Sequence, residues 1–299
     1  MPIDLAVALD AVVAAVSDDE PRVLVRAPGG ELPADALPAG SFDPDGDRTL
    51  DAGLRRWVTE QAGLDLGHLE QLYTFGDRGR DARRRVLSVA YLAFVHERAP
   101  HVAGVRWHPW YRYFPWEDWR AGRPPIVDET IAPAVAAWVA AAPDAEMTRR
   151  RELRARRAVG TSGKAWNGEL ALERYELFWE AGLVAESRNP GPVLLGERMA
   201  FDHRRIVATA LGRIRGALQY RPLVFELLPP DFTLAELQAT LEALAGRRLH
   251  GPNLRRLVEE AALVEPTGAV RRTAGRPAKL YRFRAAVIAE RPRAGIAFR

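Results

Sequence analysis

The spacing of apolar residues changes several times along this chain, and each change marks an element. LAVALDAVVAAV, from Leu5 to Val16, is almost continuously apolar and reads as a buried strand. A polar turn, SDDEP, then leads into RVLVRA, so residues 3 to 27 predict a hairpin. A Gly-, Pro- and Asp-rich loop follows from Pro28 to Arg48. In LDAGLRRWVTEQAGL the apolar positions Leu50, Leu54, Trp57 and Val58 form a helical stripe that stops at Gly63. LEQLYTF and RVLSVAYLAFV return to strand patterning on either side of the polar loop GDRGRDAR. Strand, helix, strand, strand is an α/β pattern with the helix packed on a mixed sheet.

After WHPWYRYFPWEDW the pattern turns helical from about Pro124 to Glu186, with an Ala-rich stretch, the basic run RRRELRARR and ELALERYELFWEAGLV. PGPVLLGERMAFDH leads into HRRIVATALGRIRGAL, where Val207, Ala210, Leu211, Ile214 and Leu218 make one apolar face. This helix closes a first domain, residues 1–220, with a helical insertion at about 120–198. The remaining 221–299 form a second domain. FTLAELQATLEALAG opens with Thr233 and Glu236 in capping-box spacing and stops at Gly246. GPNLRRLVEEAALV starts a second helix at Gly251 and Pro252, with Leu254, Leu257, Val258 and Ala261 facing inward. LVEP and KLYRF flank TGAVRRTAGRPA as a β-hairpin wing, which completes a winged helix-turn-helix. The expected class is α+β, with an α/β/α sandwich preceding that module.

Composition narrows the chemistry. At 299 residues, 47% apolar and 27% charged, the chain has room for two ordinary globular domains. The absence of cysteine excludes disulfides, thiolate catalysis and cysteine-ligated zinc. The apolar opening is too short to span a bilayer and lacks a basic start, so a cytoplasmic protein with no membrane partner is expected. Net charge is only +4, but residues 201–299 hold 18 Lys and Arg against 9 Asp and Glu, while the rest is mildly acidic. A basic C-terminal third points to a polyanion. With the leucines packed inward, the second helix shows Asn253, Arg255, Arg256, Glu259 and Glu260. Asn and Arg are the side chains that read adenine and guanine edges in the major groove. The wing adds Arg271, Arg272, Arg276 and Lys279 for phosphates or the minor groove. The partner predicted is double-stranded operator DNA; protein contacts are the competing use of such a module.

Residues 53 to 64, GLRRWVTEQAGL, resemble a Nudix box, R-E-x-x-E-E-x-G, whose glutamates hold Mg²⁺ against a diphosphate. Here Trp57 and Gln61 stand at two of the three glutamate positions and Glu60 alone remains, so hydrolysis should be lost or very weak. No catalytic or metal-ligating set is expected, and no cofactor is required. His96, His101 and His108 lack a ligand spacing, and His203 at the start of its helix is expected to be structural.

LEQLYTFGDRGRDARRRVLSVAYLAFV, MAFDHRRIVATALGRIRGAL, YRPLVFELLPPDFTL and GRPAKLYRF together resemble the NrtR family, Nudix-related regulators of bacterial NAD metabolism. The stretch from Trp119 to Met199, where most members pass almost directly to the FDH helix, and the WYRYFPWEDW run resemble its NadQ-like alphaproteobacterial branch. The resemblance implies a homodimeric repressor of NAD biosynthesis genes whose degenerate Nudix domain senses an adenine nucleotide: NAD, ATP or ADP-ribose. The candidate ligand residues are Arg56, Glu60, Phe75, Arg80, Asp81, Arg85 and Trp107. Arg80 and Arg85 suit a diphosphate, Asp81 a ribose hydroxyl or a neighbouring arginine, and Trp107, Trp110 or Tyr111 a stacked base. Aromatics this dense also build core or a dimer interface. The six arginines within residues 149 to 157 suit DNA, ligand phosphates or a solvated helix face. The alternative function is an active pyrophosphohydrolase on ADP-ribose or NAD with a regulatory C-terminal domain.

Overall fold

Asp18 and Asp19, with φ of 50° and 58°, turn β1 (Leu5–Ser17) straight back into β2 (Glu20–Arg26). Two left-handed residues are what a two-residue hairpin loop needs, and aspartate tolerates them better than most side chains. The computed structural model describes residues 5–77, 85–97, 102–160, 165–218, 223–272, 277–284 and 286. β1 also runs parallel to β5 (Arg85–Phe94) over its length. It is therefore a central strand, which accounts for its unbroken apolar run. β4 (Leu69–Phe75) and β6 (Val105–Pro109) complete the mixed sheet, in the order β4-β5-β1-β2-β6. A short β3 (Ala39–Ser41), inside the stretch expected to be loop, pairs with β1 at Ala8, Leu9 and Asp10.

One face of the sheet is covered by α1 (Leu50–Ala62). Thr49 accepts the Ala52 N–H at 3.1 Å to start the helix, and Gly63 at φ 65° ends it. Leu54, Val58 and Ala62 bury against Leu9, Ala11, Val13 and Leu24. Trp57 departs from the apolar stripe: it sits half-buried at the sheet edge. The other face is covered by α4 (Ala171–Glu180) and α5 (His203–Ala217). His203 ties α5 to the sheet, for its Nδ1 accepts the Leu37 N–H at 2.9 Å and its Nε2 lies 3.2 Å from Asp10. It is a structural residue, as expected.

The middle of the chain is helical. A π turn at Val127–Ile131 runs into α2 (Ala132–Ala140), and α3 (Ala145–Val159) is capped by Asp144 on the Met147 N–H at 2.7 Å. Trp110, Tyr113, Phe114 and Trp116 are fully buried, so most of the aromatic run is core.

α6 (Leu234–Ala245) and α7 (Gly251–Glu260) form the helix-turn-helix, and β7 (Val264–Arg271) and β8 (Ala278–Phe283) the wing. The capping box of Thr233 and Glu236 is present, and Gly246 ends α6 at φ 67°. Leu254 and Val258 are buried, whereas Leu257 and Ala261 are only half-buried. Leu237, Leu241 and Leu244 of α6 join the same apolar cluster as Val12 and Val25 of the sheet, so the two halves of the chain share a core. The expected boundary at 220 and 221 lies outside the described residues.

Candidate functional site

The helix that resembles a Nudix box is put to structural use. The Trp57 ring lies against Gly40, where a Cβ would fall 2.0 Å from the indole, and its N–H donates to the Ser41 carbonyl at 2.8 Å. Gln61 donates to the Ala39 carbonyl at 2.7 Å and accepts the Ala39 N–H at 3.1 Å. Both positions that carry carboxylates in a hydrolytic box thus clamp the backbone of β3. A carboxylate at 61 could accept from Ala39 N–H but could not donate to its carbonyl. Glu60 is left exposed, 3.6 Å from Arg56. Arg56 gives two parallel hydrogen bonds to Asp47, at 3.0 and 2.9 Å. That guanidinium holds the Asp47 carboxyl below the usual range, helped by the Asp43 N–H. Among the described residues no group of three or more His, Cys, Asp or Glu could hold a metal. One exposed carboxylate beside an arginine does not fit the Mg²⁺ site of a Nudix hydrolase.

The other candidate ligand residues scatter. Arg80 and Asp81 lie outside the described residues. Arg85 begins β5 and donates to the Gly76 carbonyl, at the mouth of the segment that contains them. Phe75, expected at the ligand, is core: it is 2% exposed, with the Arg205 guanidinium 5.5 Å over its ring. Trp107 and Tyr111 are likewise buried, the first in the cluster beneath α1, and Trp110 is fully so. None of these rings offers an open face for a base, because the packing that fixes the sheet and the turns after β6 consumes them. His108 is within 3.0 Å of both Asp35 and Tyr113, and burial lowers its affinity for a proton. His101 lies outside the described residues.

The C-terminal candidates come together. Asn253, Arg255 and Arg256 are exposed along one side of α7, opposite Leu254 and Val258. Arg256 pairs with Glu260 at 3.0 Å. On the wing, Arg272 and Lys279 are exposed. Arg271 instead turns inward to the Glu236 carboxylate and to the Asp231 carbonyl at 3.2 Å, so its charge is engaged by the α6 capping box. Arg276 lies outside the described residues. The face that results carries exposed cations on a short helix held from behind by apolar contacts, which is the form of a major-groove reader.

Sequence reasoning missed a buried junction. Glu117 accepts from Arg174 at 2.7 and 3.1 Å and from Arg215 at 2.5 Å, with all three side chains almost completely enclosed. The residues come from the turn after β6, from α4 and from α5, and Arg215 reaches on to the Leu244 carbonyl of α6 at 3.3 Å. Its one sequence signal was Gly246, read only as a helix stop.

The NrtR DNA-binding winged helix domain matches residues 224–283. The chain is 24% identical over 248 residues to the ADPR responsive transcriptional repressor NtrR of Acinetobacter baylyi, covering 83% of this chain and 69% of that protein. Its fold is similar to that of Shewanella oneidensis NrtR complexed with a 27mer DNA, with a TM-score of 0.58 at 23% identity over 95% of each chain. It is also similar to a MutT/nudix family protein from Enterococcus faecalis, with a TM-score of 0.54 at 17% identity over 95% of this chain and 88% of that one. The chain thus shares its fold with NrtR, and its C-terminal part matches the NrtR DNA-binding winged helix domain.

Proposed function

We propose that this protein is a transcriptional repressor that binds operator DNA through α7 and the wing and changes its affinity for that DNA in response to ADP-ribose. The observation that carries the reading is the exposed Asn253, Arg255 and Arg256 face, set on buried Leu254 and Val258 within the winged helix domain. Among NAD, ATP and ADP-ribose, the last is favoured by the Acinetobacter relative, which is ADPR responsive. Its targets are NAD biosynthesis genes, as the NrtR resemblance implies, and the NadQ-like branch suits the long Trp119 to Met199 stretch. Arg56, Glu60 and Arg85, with Arg80 and Asp81, are the ligand residues of this proposal. Double-stranded DNA as partner makes the site of action cytoplasmic, and a homodimer would place two α7 helices on a palindrome.

The Nudix helix acts here as scaffold, because Trp57 and Gln61 hold β3 where a hydrolase would hold metal. Binding of labelled NAD-biosynthesis promoter fragments, measured by anisotropy with and without ADP-ribose, tests the reading. Specific binding that shifts with ADP-ribose is expected. Equal affinity for all sequences, or rapid Mg²⁺-dependent cleavage of ADP-ribose, would replace it with the hydrolase alternative.

A further inference from the structure

Residues 149–157 looked in the sequence like a basic helix face, and three of their arginines converge instead on a cavity. Ala155, Ala158 and Val159 are buried in the last turns of α3, while the α3 positions Met147, Arg150, Arg151 and Arg154 follow helical spacing and face α2 and α4. They line a cavity of about 600 Å³ with Trp138, Trp179, Glu180 and Arg188. This is within the range of small-molecule sites. Four guanidiniums meet one carboxylate there, so the cavity is cationic.

Its walls are set in place before any ligand arrives. Arg151 stacks 4.5 Å over Trp138 and donates to the Trp138 carbonyl at 2.5 Å. Arg154 pairs twice with Glu180, at 2.5 and 2.9 Å. The Trp179 indole N–H is fixed on the Glu186 carbonyl at 2.8 Å, with Arg188 lying 5.7 Å over its ring. Among the described residues Arg188 has no carboxylate partner, and Arg150 is tied only to exposed Glu146 at 2.6 Å. A merely solvated helix face would need neither a concavity nor two half-buried indoles.

We infer that the inserted helices carry a second ligand site, separate from the Nudix helix, that takes a nucleoside polyphosphate. Planar guanidiniums bind phosphate oxygens in pairs, and indole faces stack a base. Such a ligand has both parts and is of the right size. Duplex DNA is the poorer occupant, because a rigid convex backbone does not enter a cavity. The site lies on helices covering the sheet face opposite α1, so it does not share residues with Arg56, Glu60 or Arg85.

Calorimetric titration of the full chain with ATP, inorganic pyrophosphate and adenosine tests this. ATP should bind about tenfold or more tighter than pyrophosphate, the increment expected from stacking one base. Arg188→Glu and Arg150→Glu both change exposed side chains and leave the core intact, and each should weaken ATP about tenfold or more. No ATP binding at millimolar concentration, or ATP binding indifferent to both charge reversals, would overturn the site. Pyrophosphate binding as tightly as ATP would remove the base from the proposal. Loss of operator DNA affinity in the two variants with ATP binding intact would reassign the arginines to DNA.

Discussion

Gly246, which ends the first winged-domain helix, is pressed against Glu117: a Cβ added to it would lie 2.4 Å from the Glu117 carbonyl oxygen. The same Cβ would meet Arg215 and the Tyr111 hydroxyl at 2.8 Å. Gly246 is thus required twice, once by its φ of 67° and once by the absence of a side chain. Around it the Trp119 N–H donates to the Gly246 carbonyl at 2.7 Å and Tyr111 donates to Ala243 at 2.7 Å. Gly246→Ala should therefore cost more than the ~1 kcal/mol of an ordinary left-handed position, and on the order of 2 to 4 kcal/mol with the clash. Urea denaturation measures it. A cost below about 1 kcal/mol would mean that the winged domain is not held at this socket.

The Glu117 side chain makes a second prediction. Burial alone would push its carboxyl up, but Arg174 and Arg215 outweigh burial and hold it below its usual 4.5. A carboxyl with a depressed folded pKa contributes stability that is present above 4.5 and lost as pH falls below it. Glu117→Gln should cost about 3 to 5 kcal/mol at pH 7, since two enclosed guanidiniums lose their counter-charge. It should also flatten the acid limb of the stability curve below pH 4.5, which a series of urea melts from about pH 3 to 7 would display. An acid limb identical in wild type and variant would show that Glu117 is not the group whose protonation weakens the fold.

What the sequence made legible was local. The hairpin at Asp18 and Asp19, the capping box at Thr233 and the helix stops at Gly63 and Gly246 are decided within a few residues, and they stand where the pattern put them. The exposed side of α7 was legible for the same reason, because its buried leucine and valine fix which way the arginines point. The long-range pairings were not. β3 is three residues in a Pro- and Gly-rich stretch whose partners, Ala8 to Asp10, lie some thirty residues earlier. Trp57 fell on the apolar stripe but was drawn to the sheet edge by the bare Gly40 surface and the Ser41 carbonyl. Glu117, Arg174 and Arg215 each looked like an ordinary charged residue, and only tertiary packing encloses them together. Phe75 and Trp107 were candidate ligand contacts because an aromatic stacks bases and fills cores equally well; burial decides which.

If Gln61 is a clamp, then restoring a glutamate there should do harm before it does chemistry. Gln61→Glu leaves the Ala39 carbonyl without its donor at 2.7 Å and brings a negative charge toward it. A loss of roughly 1 to 3 kcal/mol is expected. Trp57→Glu should add to it by removing the Ser41 hydrogen bond and the cover over Gly40. Thermal melts of the single and double variants check the stability change, and AMP formation from ADP-ribose with Mg²⁺ checks the chemistry. A double variant as stable as wild type would show that β3 is held by other means.

On the DNA face the ion pairs of the free protein sort the arginines into different outcomes. Arg255 is exposed beside Asn253, and Arg255→Ala should cost about 1 to 3 kcal/mol on operator DNA while sparing unrelated sequences. Arg272→Ala and Lys279→Ala, both on the wing surface, should weaken every sequence alike and reduce the salt slope by about one for each phosphate no longer neutralised. Arg271→Ala should lower stability more than it alters the salt slope, because its guanidinium is already committed to Glu236. Arg256 is paired with Glu260 at 3.0 Å and must give up that partner to reach a base or a phosphate. Glu260→Gln should then tighten binding to all DNA, both by freeing Arg256 and by removing a negative charge from the helix that faces the backbone. Gel shifts over a range of salt, with operator and scrambled duplexes, separate these outcomes. If Glu260→Gln leaves affinity unchanged on both duplexes, this side of α7 does not face DNA, and the winged helix is returned to a role in protein contacts.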